Sequence, residues 1–281
     1  MGEYTAKHVD EDVQGVDSFL SANVLNLFSL EGRTIVITGG GRGIGLAMGF
    51  AVAEAGGNVA IIDSSPEPHP HFEKLQDNYG VKVEIYQSDV TIFDVLKDTF
   101  AQIILDFGRI DGLVTAAGVC ADQPFIERSP ESVARTMNIN VLGTYYAGQL
   151  AVAQMQLQGE GGSLVFIASI AGYVASDGQT TSDYCASKGA VHSLARELGV
   201  ELAKDQIRVN TISPGYILTD MTLDLMNRQP NLRKIMTHSP PLQRIGNRSD
   251  LKGAVVYLLS AASAYQTSSD ILITGGIHAG R

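Results

Sequence analysis

The chain has 281 residues, of which 44% are hydrophobic and 18% charged, and its formal net charge is −10. A chain of this length buries a large core. The negative charge argues against nucleic acid or an anionic membrane as the main partner, because phosphate groups are bound by clustered Lys and Arg. The two cysteines, Cys120 and Cys185, have the spacing neither of a metal site nor of a disulfide framework. We therefore expect no bound metal and a reducing, cytoplasmic environment.

The first 29 residues are acidic and show no clear hydrophobic period. The acidic residues that precede the apolar part of this segment carry the wrong charge for a secretory or mitochondrial leader. No apolar run in the chain is long enough to cross a bilayer. We expect a partly flexible N-terminal extension at residues 1–29, followed by one domain at residues 30–281.

After the extension, β-branched apolar runs alternate with segments of helical spacing. The predicted strands are Thr34–Thr38, Asn58–Asp63, Val81–Gln87, Gly112–Ala116, Ser163–Ile167, Ile207–Ile212 and Asp270–Thr274. The predicted helices are Ile44–Ala55, Phe93–Phe107, Glu131 to about Gln158, Ser182–Leu202 and Ser249–Ser260. This alternation predicts an α/β fold, a doubly wound parallel sheet with helices on both faces.

A glycine-rich loop, residues 38–45, joins the first predicted strand to the first helix. Glycines let backbone N–H groups approach a pyrophosphate closely, and the helix N-terminus adds a favourable partial charge. Glycines also serve tight turns, but a strand before, a helix after and an acid on the next strand together favour a dinucleotide site. The candidate cofactor contacts in this loop are Gly39, Gly41, Arg42, Gly43, Ile44 and Gly45.

Asp63 ends the second predicted strand, eighteen residues after Gly45. A carboxylate there accepts hydrogen bonds from both ribose hydroxyls and repels a 2′-phosphate, so it favours NAD over NADP. Arg42 favours NADP instead, because a cation in the loop can hold a 2′-phosphate. Asp63 is also a plausible turn residue at the end of its strand. The sequence therefore favours NAD and leaves NADP open.

Tyr184 and Lys188 are four residues apart in a helical segment, so their side chains share one helix face. A nearby cation favours the phenolate and lowers the pKa of a tyrosine, which suits acid–base chemistry near neutral pH. Alone, such a pair is common on solvated helix faces. Here Ser169 precedes it at the exit of a strand, and Asn140 precedes Ser169. These four residues are the candidate catalytic set.

With these residues assembled, the chain resembles the short-chain dehydrogenase/reductase family over about Leu30–Gly276. The family's glycine motif matches Thr38, Gly39, Gly43 and Gly45, and its active-site Asn, Ser, Tyr and Lys match Asn140, Ser169, Tyr184 and Lys188. The resemblance adds cofactor contacts at Asp89, Val90, Ala117, Gly118, Pro214, Gly215, Ile217 and Thr219, and in Tyr184 and Lys188 themselves. The chain departs from the family pattern at Ala116, Ser268 and Thr274.

The resemblance implies a Rossmann fold and hydride transfer between a nicotinamide cofactor and a carbonyl or secondary alcohol. It implies that Tyr184 moves the proton, that Lys188 lowers the pKa of Tyr184 and holds the ribose, and that Ser169 stabilises charge on the reacting oxygen. Asn140 would hold a water that links Lys188 to solvent. Residues of about 220–240 are similar to the family's mobile substrate lid.

Three functions stay open at this point. The extension and residues 27–32 are similar to fungal polyol dehydrogenases and ketose reductases, which implies a sugar-type small-molecule substrate. A ketone reductase of secondary metabolism is the second interpretation. A non-catalytic dinucleotide-binding scaffold or regulator is the third, although that role does not require Tyr184 and Lys188 together.

Two predicted helices carry apolar residues on more than one face, which is typical of an interface. These residues are Val133, Met137, Leu150, Val152 and Met155 in the first helix and Val191, Leu194, Leu198 and Leu202 in the second. With the resemblance, they predict a homotetramer or homodimer of closed symmetry. Alternatively, the N-terminal extension covers them.

Overall fold

The structure is a computed structural model that describes residues 23–279. Its strands are β1 (Thr34–Thr38), β2 (Asn58–Asp63), β3 (Val83–Gln87), β4 (Gly112–Thr115), β5 (Gly162–Ile167), β6 (Ile207–Pro214), β7 (Ile217–Leu218), β8 (Gly246–Asn247) and β9 (Asp270–Ile273). Seven of them form one parallel sheet in the order β3-β2-β1-β4-β5-β6-β9, and β7 pairs with β8. The predicted parallel α/β sheet is confirmed.

The α-helices connect and cover these strands. They are α1 (Val24–Leu27), α2 (Gly43–Glu54), α3 (Phe72–Asp77), α4 (Phe93–Phe107), α5 (Pro130–Met137), α6 (Gly143–Gln158), α7 (Ser182–Glu201), α8 (Asp220–Arg228), α9 (Pro230–His238) and α10 (Lys252–Leu259). None of the helices within residues 23–279 combines the length and apolarity that crossing a membrane requires.

The sheet separates two hydrophobic cores. Ile35 and Ile37 of β1 pack in the core on the side of α2 and α10, whereas Val36 between them packs in the core on the side of α4, α6 and α7. Successive side chains of a strand point to opposite faces, so a strand buried on both faces is apolar throughout. This is why the continuous apolar runs in the sequence predict the central strands correctly.

The predicted helix from Glu131 to about Gln158 is wrong in one respect, because it is interrupted. A π-helical turn at Asn138–Leu142 separates α5 from α6. Such turns admit an extra residue and often lie at functional positions. The cause here is Asn140, whose buried side chain bonds to the backbone of Val119 and to Ser187 rather than to its own helix.

The structure describes the expected lid but only the last residues of the expected N-terminal extension. Residues 1–22 lie outside the described residues, and α1 is the first element after them. Its neighbour Phe28 contacts the ring of Tyr257, with 6.2 Å between the ring centroids. In the lid segment, α8 and α9 enclose a small core of their own around Met226, Leu232 and Met236. The mobility of this lid remains a prediction.

The strand order reverses between β1 and β4. From β1 the chain adds strands on one side as far as β3, and from β4 it adds strands on the other side as far as β9. In open parallel sheets, a crevice forms beyond the carboxyl ends of the strands at such a reversal. The glycine loop after β1, Asp63 at the end of β2 and residues 116–118 after β4 all lie at this edge. The fold therefore collects the candidate residues at one end of the sheet.

Candidate active site

A cleft with a volume of about 1270 Å³ opens at the carboxyl edge of the sheet. A drug-sized ligand occupies less than this, so the cleft has room for two molecules side by side. The predicted residues that line it are Gly39, Arg42, Gly43, Ile44, Gly45, Asp63, Asp89, Val90, Ala117, Gly118, Ser169, Tyr184, Lys188, Pro214, Gly215, Ile217 and Thr219. Gly41 and Asn140 are not among its lining residues.

The glycine loop is shaped by close contacts of its backbone. A Cβ atom on Gly39 would lie 2.6 Å from the Cα of Ala117, and one on Gly45 would collide with the carbonyl oxygen of Gly39. Gly43 has a φ of +60°, and the direction of its missing side chain is open space. No side chain caps the N-terminus of α2, which begins at Gly43. The first N–H groups of α2 therefore suit a phosphate.

Asp63 closes the other side of this loop. Its Oδ2 accepts a hydrogen bond from the N–H of Gly41 at 2.9 Å, and its Oδ1 accepts one from the N–H of Ser65 at 3.0 Å. Gly41 thus holds Asp63 in place instead of facing the cleft. Arg42 is exposed beside it. A carboxylate and a guanidinium consequently flank the same corner of the cleft.

Next to Asp63, the end of β3 contributes a residue that the sequence reasoning missed. Ser88 is buried and lines the cleft, and its hydroxyl has no hydrogen-bond partner among the described residues. Asp89 beside it accepts hydrogen bonds from the backbone and hydroxyl of Thr91. A buried hydroxyl without a partner is uncommon and points to a ligand that supplies one. The free helix terminus, Asp63 and Ser88 together fit a dinucleotide.

Tyr184, Ser169 and Lys188 meet at the inner end of the cleft. The side chains of Tyr184 and Ser169 share a hydrogen bond. The Lys188 Nζ donates to the carbonyl oxygen of Ile167 at 2.7 Å and lies 5.6 Å from the centroid of the Tyr184 ring. The three predicted side chains are thus brought together around one reaction position.

Burial shifts the pKa values of this pair in opposite directions. It raises the pKa of Tyr184, which the hydrogen bond from Ser169 only partly offsets, and it lowers the pKa of Lys188 to about 8. Burial disfavours whichever form is charged, so an acid and a base respond with opposite signs. The expected lowering of the Tyr184 pKa by Lys188 is not what the protein alone shows. Tyr184 holds its proton at neutral pH, the form a proton donor needs.

Asn140 lies behind these residues and is fully buried. Its Nδ2 donates to the carbonyl oxygen of Val119 and to the hydroxyl of Ser187, both at 3.0 Å, and its Oδ1 accepts from the N–H of Val119 at 2.9 Å. Both amide hydrogens therefore go to protein acceptors, and the side chain supports the loop after β4. Ser187, which the sequence reasoning missed, is the contact that ties Asn140 to α7.

The segment after β6 completes the cleft. Gly215 donates its N–H to the carbonyl oxygen of Ile273 at 2.9 Å, and the hydroxyl of Thr219 accepts from the N–H of Thr222 at the start of α8. Thr219 is thus both a cleft residue and the cap of the first lid helix. Among residues 23–279, no group of three or more His, Cys, Asp or Glu could hold a metal ion.

Comparison with known proteins identifies the family. A family model described as enoyl-(acyl carrier protein) reductase matches residues 39–278. The chain is 38% identical over 254 residues to a sorbose reductase of Schizosaccharomyces pombe, across 89% of this chain and 98% of the relative. It is 37% identical over 257 residues to an NADP-dependent mannitol dehydrogenase of Hypocrea jecorina, across 90% and 95% of the two chains. The chain belongs to the short-chain dehydrogenase/reductase family.

A solved structure shows the same fold within this family. The NADPH-dependent 3-quinuclidinone reductase of Rhodotorula rubra superposes with a TM-score of 0.84 at 34% identity, over 91% of this chain and 94% of that one. The family resemblance and the Rossmann-type fold are thereby confirmed. The protein is an NAD(P)-dependent oxidoreductase that acts on CH–OH or C=O groups.

The buried Lys188 predicts a pH dependence of stability in the protein without dinucleotide. The folded state loses this proton near pH 8, whereas the unfolded chain keeps it up to a pKa of 10.5. Between these values the unfolded state binds more protons, so the contribution of Lys188 to stability rises with pH. From pH 7.5 to 9.5, wild type should gain about 2 kcal/mol over Lys188→Met.

Urea unfolding followed by far-UV circular dichroism measures this difference, since the chain has no tryptophan. Lys97→Met, at an exposed lysine of α4, is the matched control and should track wild type at every pH. A pH-independent difference between wild type and Lys188→Met would show that Lys188 is not held in a desolvated position.

Proposed function

We propose that this protein interconverts ketoses and sugar alcohols, with NAD as the preferred cofactor. The observation that carries the proposal is the hydrogen-bonded pair of Tyr184 and Ser169 beside Lys188, in a cleft that also holds the glycine loop and Asp63. A sorbose reductase and a mannitol dehydrogenase among the relatives support the substrate class.

In this proposal, Tyr184 donates its proton to the carbonyl oxygen of the substrate, or takes one from the alcohol in the reverse direction. Ser169 hydrogen-bonds the same oxygen and stabilises the charge that develops there. Lys188 binds the ribose and restores the proton that Tyr184 gives to the substrate. Asn140 fixes the loop after β4. When bound, the dinucleotide supplies or accepts the hydride.

The dinucleotide would lie along the edge of the sheet. Gly39, Gly43, Ile44 and Gly45 with the N-terminus of α2 would hold the pyrophosphate. Ser88, Asp89 and Val90 would surround the adenine. Ala117, Gly118, Pro214, Gly215, Ile217 and Thr219 would border the nicotinamide half, next to Tyr184 and Lys188.

The wall of the cleft supports a hydroxylated substrate. Asp122, Ser176, Gln179 and Thr181 line the cleft, and their side chains are of the types that hydrogen-bond sugar hydroxyls. Met221 and Leu225 of α8 contribute an apolar side to the same cleft. That apolar side and the 3-quinuclidinone reductase neighbour favour a second candidate, a ketone reductase of secondary metabolism. Turnover of a panel of ketoses, polyols and hydrophobic ketones separates the two, and turnover of none would favour the dinucleotide-binding scaffold.

Tyr184→Phe should lower kcat by about 10²–10⁴-fold, because the ring stays and only the transferable proton is lost. Dinucleotide affinity, measured by fluorescence titration of the reduced cofactor, should stay within a few-fold of wild type. Tyr173→Phe is the matched control, since Tyr173 lies outside the cleft and bonds Asp270. If Tyr184→Phe turned over substrate as fast as this control, Tyr184 would not be the proton donor.

The preference for NAD rests on Asp63, in contrast to the relatives named as NADP-dependent. Asp63→Asn keeps an acceptor for Gly41, loses the one for Ser65 and removes the charge, so it should raise the ratio of kcat/KM for NADPH over NADH by about tenfold, equivalent to ~1.4 kcal/mol. Arg42→Ala in the same background should reverse part of that gain. A wild-type enzyme that already prefers NADPH in side-by-side kinetics would refute the role of Asp63.

We also propose that the protein is a homotetramer, or a homodimer, of the cytoplasm. Of the apolar residues that suggested an interface, Met155, Val191 and Leu202 are buried in the core of this chain. Tyr145 and Val200, however, stay exposed on α6 and α7 and support an interface there. The two free cysteines support a reducing compartment.

Light scattering at assay concentration should give a mass of about four times, or twice, the 29.9 kDa of the chain. The mass should persist on tenfold dilution if the interface is as apolar as the exposed helix faces suggest. A species near 29.9 kDa would rule out the interface.

A further inference from the structure

A buried ion pair lies next to Tyr184 but outside the cleft. The Nη1 of Arg128 is 2.6 Å from the Oδ1 of Asp183, and both side chains are only 2% exposed. Removing two charges from water is costly, and a buried pair is retained only when further hydrogen bonds compensate for the loss of hydration. Among the described residues, the Nε of Arg128 has no acceptor, and its Nη1 contacts Asp183 as an ion pair without the geometry of a hydrogen bond. The pair is therefore not arranged for maximal stability, and stability alone does not explain its presence.

The second arm of Arg128 joins two loops. Its Nη2 donates to the carbonyl oxygens of Ala121 at 2.8 Å and Thr180 at 2.6 Å. Ala121 belongs to the loop after β4 and Thr180 to the loop before α7, and both loops form the substrate side of the cleft. One planar guanidinium consequently fixes the separation of the two loops, as a fork of rigid donors can and a lysine cannot.

Asp183 connects the same guanidinium to the helix that carries Tyr184. Its Oδ1 accepts from the backbone N–H of Tyr184 at 2.8 Å, and its Oδ2 accepts from the hydroxyl of Thr136 at 2.7 Å. No side chain at the preceding position caps α7, so Asp183 provides the negative group in its first turn. Thr136 lies on α5, one turn before the π-helical turn of Asn140.

We propose that Arg128 and Asp183 are positioning residues that set the location of the Tyr184 hydroxyl relative to the substrate wall. The proposal rests on the assignment of Tyr184 as the proton donor. Four segments meet at the pair: the two wall loops, α5 and the first turn of α7. Because a misplacement of about 1 Å costs on the order of 100-fold in rate, loosening this junction slows the chemical step.

Arg128→Met should lower kcat by about 100-fold and raise the KM for the alcohol or ketone. The dissociation constant for the dinucleotide should change less than threefold (~0.7 kcal/mol), since the glycine loop and Asp63 are at the other end of the cleft. The deuterium isotope effect on kcat, measured with deuterated reduced cofactor, should rise. A structural defect that only reduces the fraction of active enzyme would leave both KM and the isotope effect unchanged.

Arg109→Met is the matched control, because Arg109 pairs with Asp111 and Glu160 away from the cleft. It should leave kcat, KM and the isotope effect at their wild-type values. If Arg128→Met does not fold, Arg128→Met/Asp183→Asn removes both charges, leaves no unpaired buried ion, and is judged by the same three readouts.

A folded Arg128→Met or double variant with unchanged KM and isotope effect would overturn the positioning role. This outcome differs from failure of the proposed function. If the proposed function were wrong, Tyr184→Phe would retain turnover, or wild type would turn over no carbonyl or alcohol at all.

Discussion

The side-chain amide of Asn140 is the interaction on which the arrangement of the cleft depends. It bonds both backbone groups of Val119, which follows β4, and the hydroxyl of Ser187, which immediately precedes Lys188 in α7. To reach them from its own helix, the chain adopts the π-helical turn between α5 and α6. A buried polar group left without these partners would be costly. The strand end, the interrupted helix and α7 are therefore held in one geometry.

Much of the fold follows from local pattern. The strands of the central sheet are buried on both faces and read as continuous apolar runs, and the helices between them are long enough to fix a βαβ order. The glycine loop is local in part, because Gly45 is required where the backbone of Gly39 passes within contact distance, whereas Gly39 faces the distant backbone of Ala117. Sequence periodicity and glycine spacing report such constraints directly.

The remaining features depend on contacts between distant residues, which no local pattern carries. Residues 131–158 have uniform helical spacing, and only the bond from Asn140 to Val119, 21 residues earlier, explains the interruption. Gly41 reads as a phosphate contact, yet its N–H is used to hold Asp63. Ser88 becomes notable only once its hydroxyl is seen to be buried without a partner. Arg128 and Asp183 are 55 positions apart and have no motif in common.

Burial also decides the electrostatics of the site, a property that the four-residue spacing of Tyr184 and Lys188 does not reveal. The spacing alone suggests that the lysine ammonium stabilises a phenolate. In the folded protein, removal from water is the largest influence on both groups, and it raises the pKa of Tyr184 and lowers that of Lys188. The same desolvation keeps Tyr184 protonated and makes Lys188 easier to deprotonate. A site built in this way holds a proton on Tyr184 ready for delivery to a carbonyl oxygen, and it keeps the positive charge of Lys188 at neutral pH but loses that charge as the pH rises through about 8.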